Sequence, residues 1–221
     1  MPGITVTIDG PAGAGKSTVA RRLADRLGYL YLDTGAMYRA LTLAVLRQGV
    51  DGSDAAAVAA LLASSDIALF EGGVRLNGED VSDLVRTPAV DRLVSRVSAH
   101  APVRAAMLAR QRSLAQAGGV VIEGRDAGTA IAPGAERKFF LTASLQERAR
   151  RRAADMRARG LAADTQALVP EIARRDREDS ERAVAPLVVP ADAEVVDTTG
   201  LGVDEIVDRL ELRCTGVAPR R

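Results

Sequence analysis

The chain has no tryptophan and only three tyrosines and three phenylalanines in 221 residues, too few flat rings for a stacking platform that would hold single-stranded nucleic acid. One cysteine, Cys214, and one histidine, His100, exclude an intrachain disulfide framework and a Cys/His zinc site. Charge of one sign is also missing. Thirty basic residues against 29 acidic ones leave +1, which argues against a nucleic-acid binder driven by bulk charge. No apolar run approaches 18 residues, and the opening Met1-Pro2-Gly3-Ile4 lacks the basic and apolar regions of a secretory signal. A cytoplasmic protein of a reducing compartment, off the membrane, is expected. Lysine occurs only at Lys16 and Lys138; arginine supplies the remaining cations, so each lysine position is informative.

What is present suits a folded chain. Hydrophobic residues make up 47% and charged residues 27%, and the length fits one domain with a small insert. Residues 4–8 are β-branched throughout, as in a strand buried on both faces. A glycine-rich turn follows, then a helix over 19–27 stopped by Gly28, a strand over 29–32, and helices over 36–48 and 54–62. Strand and crossover helix in alternation predict a parallel α/β sheet. Between about 60 and 95 the pattern becomes short runs joined by Gly72-Gly73 and Asn77-Gly78, the second a hairpin signal, so an inserted antiparallel subdomain is expected there. Helical sequence resumes at 87 and runs to 117. Strands are expected over 120–122, 137–141 and 194–197, charged helices over 144–159 and 165–182, and a closing helix over 203–212. The tail after Gly216 is expected to fray.

The sharpest signal is Gly10-Pro11-Ala12-Gly13-Ala14-Gly15-Lys16-Ser17-Thr18. It matches the Walker A pattern in full and lies where that pattern must lie, between a strand and a helix. Glycines let successive backbone N–H groups wrap a phosphate, and the helix that starts there adds its positive dipole end. Lys16 would reach the β- and γ-phosphates and Ser17 would place its hydroxyl on Mg²⁺. A nucleoside triphosphate site is implied. A GTPase switch is poorly served. Asp197-Thr198-Thr199-Gly200 comes too late in the chain for the Asp-x-x-Gly element, and neither lysine follows an asparagine as a guanine reader requires.

Arginines mark the other half of the chemistry. Arg39 follows the second strand, and Arg125 and Asp126 follow the third directly. In open α/β sheets, ligands bind beyond the carboxyl ends of the strands. Arg175, Asp179 and Arg182 are spaced i, i+4, i+7 and share one helix face; the plain alternative for them is a solvated, salt-bridged surface.

Four segments together resemble the bacterial cytidylate kinase family: residues 8–18, residues 32–39 (Leu-Asp-Thr-Gly-Ala-Met-Tyr-Arg), residues 123–129 (Glu-Gly-Arg-Asp-Ala-Gly-Thr), and residues 175–187 beginning Arg175-Asp176 and ending Pro186-Leu187. The first alone says P-loop kinase; the other three are specific to this family. The resemblance runs in order from about residue 4 to 212. Thr34 stands where Ser is common and Glu123 where Asp is common, keeping a hydroxyl and a carboxylate. The resemblance implies a P-loop NTPase fold: a central five-stranded parallel sheet flanked by helices, with core segments at about 1–60, 96–150 and 183–215. It also implies a monophosphate-binding insert with a small antiparallel sheet at about 60–95 and a short helical lid at about 150–182. It implies a monomer that uses Mg-ATP to convert CMP and dCMP to their diphosphates, with no nucleic-acid or membrane partner.

By the same resemblance, Arg39 and Arg125 grip the CMP phosphate. Asp126 and Arg104 read the base, with Thr34 and Arg182 near it. Arg175 and Asp179 contact the ribose, and Ser95 contacts sugar or base. Glu123 is a Walker-B-like candidate for holding Mg²⁺ through water; its alternative is a surface carboxylate. For Asp33 and Thr34 the alternative is helix capping. Arg151, then Arg148 or Arg157, is the candidate to close over ATP. The physics agrees. The nucleophile is an anionic phosphate oxygen, so no general base is needed and catalysis is positioning plus electrostatics. Cytosine offers an amino donor at position 4 and acceptors at N3 and O2, which suit a carboxylate and a guanidinium. A broader UMP/CMP kinase, another small-metabolite kinase and a non-catalytic nucleotide-binding module remain as alternatives.

Overall fold

The computed structural model describes residues 3–70, 72–116 and 118–216; the tail after Gly216 lies outside the described residues. In chain order the elements are β1 (Thr5–Asp9), α1 (Lys16–Leu27), β2 (Leu30–Asp33), α2 (Thr34–Gln48), α3 (Ala55–Ala63), β3 (Ile67–Phe70), β4 (Gly73–Leu76), β5 (Glu79–Asp80), α4 (Pro88–Ala99), α5 (Ala101–Ala115), β6 (Val120–Glu123), β7 (Arg137–Thr142), α6 (Leu145–Ala158), α7 (Thr165–Glu181), β8 (Glu194–Asp197) and α8 (Val203–Cys214). A short π-helical turn, Ala127–Ile131, follows β6. The chain divides into two compact units, residues 1–31 with 117–221, and residues 32–116.

The first unit is organised by a five-stranded parallel sheet in the order β2-β6-β1-β7-β8. β1 lies between β6 and β7, pairing Ile8 with Glu123 on one side and Asp9 with Phe140 on the other. Being interior, β1 is buried from Val6 to Asp9 and β-branched from Thr5 to Ile8, as suits a strand covered on both faces. Val19, Leu23, Ile206, Val207 and Leu210 from α1 and α8 pack on Ile4, Val6, Ile8, Phe139 and Leu141 of the sheet region. This core fixes where β1 ends and therefore where the phosphate loop begins. At that point Gly10 takes φ 144°, and a Cβ there would stand 2.0 Å from the Leu141 carbonyl oxygen; only glycine passes so close to the next strand. α6 starts on an N-cap, with Ser144 Oγ accepting from the Glu147 N–H. It packs against α7 through Ala149, Ala153, Leu168 and Ile172.

The second unit has its own core. α2 supplies Met37, Leu41 and Val45, which meet Val58, Leu62, Val74, Leu76, Val94 and Met107. The small sheet has the order β3-β4-β5 and is antiparallel. The Asn77-Gly78 turn joins Leu76 to its partner Glu79, with Asn77 at φ 52°, as a primed hairpin turn demands. The unit reaches well beyond the hairpin segment at 60–95, because α2 packs on that little sheet and α4 on α2, with α5 against α3 and α4. Among the described residues no helix is long and apolar enough to cross a membrane.

Candidate active site

In the first unit the phosphate loop spans residues 10–15 between β1 and α1. Lys16, buried at the first position of α1, donates from Nζ to the Pro11 carbonyl at 2.9 Å. Burial drives its ammonium down to about 7, and the Arg125 and Arg175 charges push the same way against Glu123 and Asp9. A phosphate group is the anion this environment calls for. The outer side of the loop is held by other elements. The Ala12 N–H donates to Asp176 at 3.3 Å, the Ala12 carbonyl accepts from Arg148 at 3.2 Å, and Arg148 is paired with Asp176. The Ala14 carbonyl accepts from Arg151 and from the Thr198 hydroxyl. Arg151 also donates to the Thr198 carbonyl at 2.6 Å.

The end of β6 carries the next groups. Glu123 is buried, so it is no surface carboxylate. Its Oε1 accepts from Ser17 Oγ at 2.8 Å and its Oε2 from the Tyr31 hydroxyl at 2.7 Å. Arg21 lies over the Tyr31 ring, 5.2 Å from its centroid. Arg125 Nε donates to Asp179 Oδ2 at 2.9 Å. Burial works against both charges. The Asp179 carboxylate outweighs it for Arg125, whose guanidinium is raised. For Asp179, the Arg125, Arg175 and Arg182 guanidiniums outweigh it, and the carboxyl is held below its usual range. Arg182 lies 3.5 Å from Asp126 and 3.9 Å from Asp179, and its Nε donates to the Ala185 carbonyl at 2.5 Å. Asp179 and Arg182 side chains are 7% and 6% exposed, so the pair is not a solvated surface; Arg182 does not share the helix face of Arg175 and Asp179, because α7 ends at Glu181 and Arg182 follows in extended backbone.

In the second unit Asp33 caps α2, accepting from the Ala36 N–H at 2.9 Å, while Thr34 beside it is buried. Arg39 donates to the Val85 carbonyl at 2.9 Å and to Asp91 at 2.6 Å. Arg104 is buried on α5, donates to the Ser98 carbonyl at 3.1 Å and sits 5.4 Å from the Tyr38 ring centroid. Ser95 is half-buried on α4 and accepts from Ser98 Oγ through its carbonyl. The first unit thus joins Ser17 to Glu123 and Arg125 to Asp126, Asp179 and Arg182 in a few bonds. Sequence reasoning gave no role to Asp9, Tyr31, Asp91 or Thr198. Only Asp9 carried a signal, as the acid directly before the glycine-rich turn.

A central parallel strand that runs into a complete Walker A loop, with a buried lysine and a hydroxyl–carboxylate pair beside it, defines a P-loop kinase. The sequence profile of the Cytidylate kinase family matches residues 6–214, and the chain belongs to that family. It is 53% identical to the cytidylate kinase of Symbiobacterium thermophilum, with 96% of each chain covered. It is 54% identical to that of Geobacillus kaustophilus, with 94% of each covered. A crystal structure of an uncharacterized protein from Eubacterium ventriosum has a similar fold, with a TM-score of 0.53 at 12% identity over 97% of this chain and 99% of that one.

Proposed function

We propose that the protein transfers the γ-phosphoryl group of ATP to CMP and dCMP, working as a cytoplasmic monomer on free nucleotides. The observation that carries this reading is the buried Arg125–Asp179 pair, with Asp126 and Arg182, at the end of β6 in a chain that matches cytidylate kinases over nearly its whole length. Lys16 takes the β- and γ-phosphates. Arg39 and Arg125 bind the acceptor phosphate and offset its charge, so that its oxygen can approach the γ-phosphorus in line. Asp126 accepts from the cytosine amino group and Arg104 donates to its ring acceptors, with Thr34, Ser95 and Arg182 completing the base contacts. Arg175 and Asp179 hold the ribose. Arg151 is the arginine proposed to reach ATP when the 150–182 segment closes and excludes water.

The donor set suits magnesium. A hydroxyl and a carboxylate 2.8 Å apart are hard oxygen donors. Among the described residues no group of three or more His, Cys, Asp and Glu side chains is placed to hold a metal ion. Ser17 would hold it directly and Glu123 through water; bound there, Mg²⁺ offsets charge between the phosphates. The test is ADP release with CMP, dCMP, UMP, AMP, GMP and shikimate as acceptors. CMP and dCMP should be phosphorylated far faster than the others, and an enzyme that leaves CMP unconverted would overturn the proposal.

A further inference from the structure

Asp9 is the last residue of β1 and is 1% exposed. Its carboxylate does not cap the phosphate loop that follows it. It reaches instead across to the turn after β6, where Oδ1 accepts from the Ala127 N–H at 2.8 Å and Oδ2 from the Gly128 N–H at 2.7 Å. These two N–H groups come directly after Arg125 and Asp126. They lie at the start of the 127–131 helical turn, where N–H groups have no partner within the turn. The fit is close on the far side as well. A Cβ on Gly128 would stand 2.9 Å from Thr7 Oγ1, 3.2 Å from Asp9 Oδ2 and 3.2 Å from the Lys138 stem, so the 128 backbone rests directly on β1 and β7.

We propose that Asp9 is a positioning residue for the acceptor: by gripping both N–H groups at once, it holds the Arg125–Asp126 turn in fixed register with the start of the phosphate loop, and so sets the affinity for CMP. This rests on the roles assigned to Arg125 and Asp126 in the proposed function. A buried carboxylate is a costly acceptor for two amides that a neutral group could have served in part. Burial pushes the Asp9 carboxyl up to about 6; the two backbone N–H groups lower it, Asp126 raises it and Lys16 lowers it. The charged groups facing it are therefore Lys16 from α1 and Asp126 from the turn itself, with the Lys138 stem of β7 close by. What the charge gives in return is two simultaneous, strong bonds that fix one loop against another.

The test is Asp9→Asn, whose amide sets an NH₂ donor where one of the two accepting carboxylate oxygens stood. CMP binding is measured by calorimetry without ATP or magnesium, and ATP binding separately. CMP affinity should fall at least about tenfold while ATP affinity changes less than about threefold. The wild-type advantage in CMP binding should shrink toward unity as pH is lowered from 7.5 to 5. The titration of CMP's own phosphate is common to both proteins and cancels in their ratio. An unchanged CMP affinity, or equal losses of CMP and ATP, overturns the proposal. Should the variant not fold, the wild-type amide resonances of Ala127 and Gly128 decide: they should titrate together with a midpoint near 6, and flat shifts overturn it. Wild-type protein that fails to phosphorylate CMP at all would instead remove the reading on which the proposal rests.

Discussion

Arg125 and Asp179 form a buried ion pair, Nε to Oδ2 at 2.9 Å, between residues 54 apart in the sequence. Their side chains are 18% and 7% exposed. Removing one partner of such a pair strands the other charge, at a cost of about 3–5 kcal/mol. Asp179→Ala should therefore destabilise the protein by about 3 kcal/mol in urea unfolding. The double variant Arg125→Ala/Asp179→Ala should lose less than the sum of the single ones, by at least about 1 kcal/mol. Strict additivity would mean the two side chains are not energetically coupled.

Base selection should depend on Asp126. Uracil carries a carbonyl at position 4, which would meet the Asp126 carboxylate with no proton between them. A site built around a hydrogen bond rejects a mismatched analogue far more strongly than a pocket rejects one methylene. kcat/KM for CMP should exceed that for UMP by at least about a hundredfold. Asp126→Asn, which can offer a donor to a carbonyl, should narrow that ratio at least tenfold, mainly by losing CMP. Equal rates on both nucleotides in the wild type would defeat the assignment.

The parts of the fold that were legible beforehand are those whose causes are local. The Walker loop declares itself because six residues between a β-branched run and a helix have one use. Asn77 with Gly78 likewise carries its geometry in neighbouring residues. Within the candidate site, Ser17, Arg125 and Asp126 were singled out by motifs. It was not legible at Tyr31, whose hydroxyl meets Glu123 from 92 residues away, nor at Asp91, which meets Arg39 from 52 away. Such pairs leave no periodicity. The extent of the second unit was hidden for a similar reason: the apolar stripe of α2 looks the same whether it faces a large sheet or a small one.

Tyr31 offers a direct check on Glu123. Its hydroxyl donates to one oxygen of that carboxylate, and Ser17 donates to the other. Were magnesium to take the Ser17 hydroxyl, as proposed above, the Tyr31 bond would keep Glu123 oriented, as partners of metal-ligating groups do. Tyr31→Phe should raise the Mg²⁺ concentration needed for half-maximal rate several-fold, with kcat at saturating Mg²⁺ changed less than about twofold. An unchanged Mg²⁺ dependence would show that Glu123 needs no such support.

Asp9 should also leave a mark on stability that is opposite in sign to that of most carboxylates. Its carboxyl is raised from 3.8 to about 6 in the folded protein, so between those values the native state binds more protons than the unfolded chain. Stability then falls as pH rises. The contribution is fully present below 3.8 and is lost as pH passes 6, and burial is the cause. Holding the carboxyl that far above its ordinary value costs about 3 kcal/mol at neutral pH, roughly 2 kcal/mol of it developing between pH 4 and 7. Other carboxylates titrate over the same range, but they do so equally in Asp9→Asn. The stability of the wild type minus that of Asp9→Asn, from urea unfolding at both pH values, should therefore drop by about 2 kcal/mol from pH 4 to pH 7. A difference that stays flat or rises would mean that the Asp9 carboxylate is not held at a cost in the folded state, and nothing would then single it out as a group kept for function.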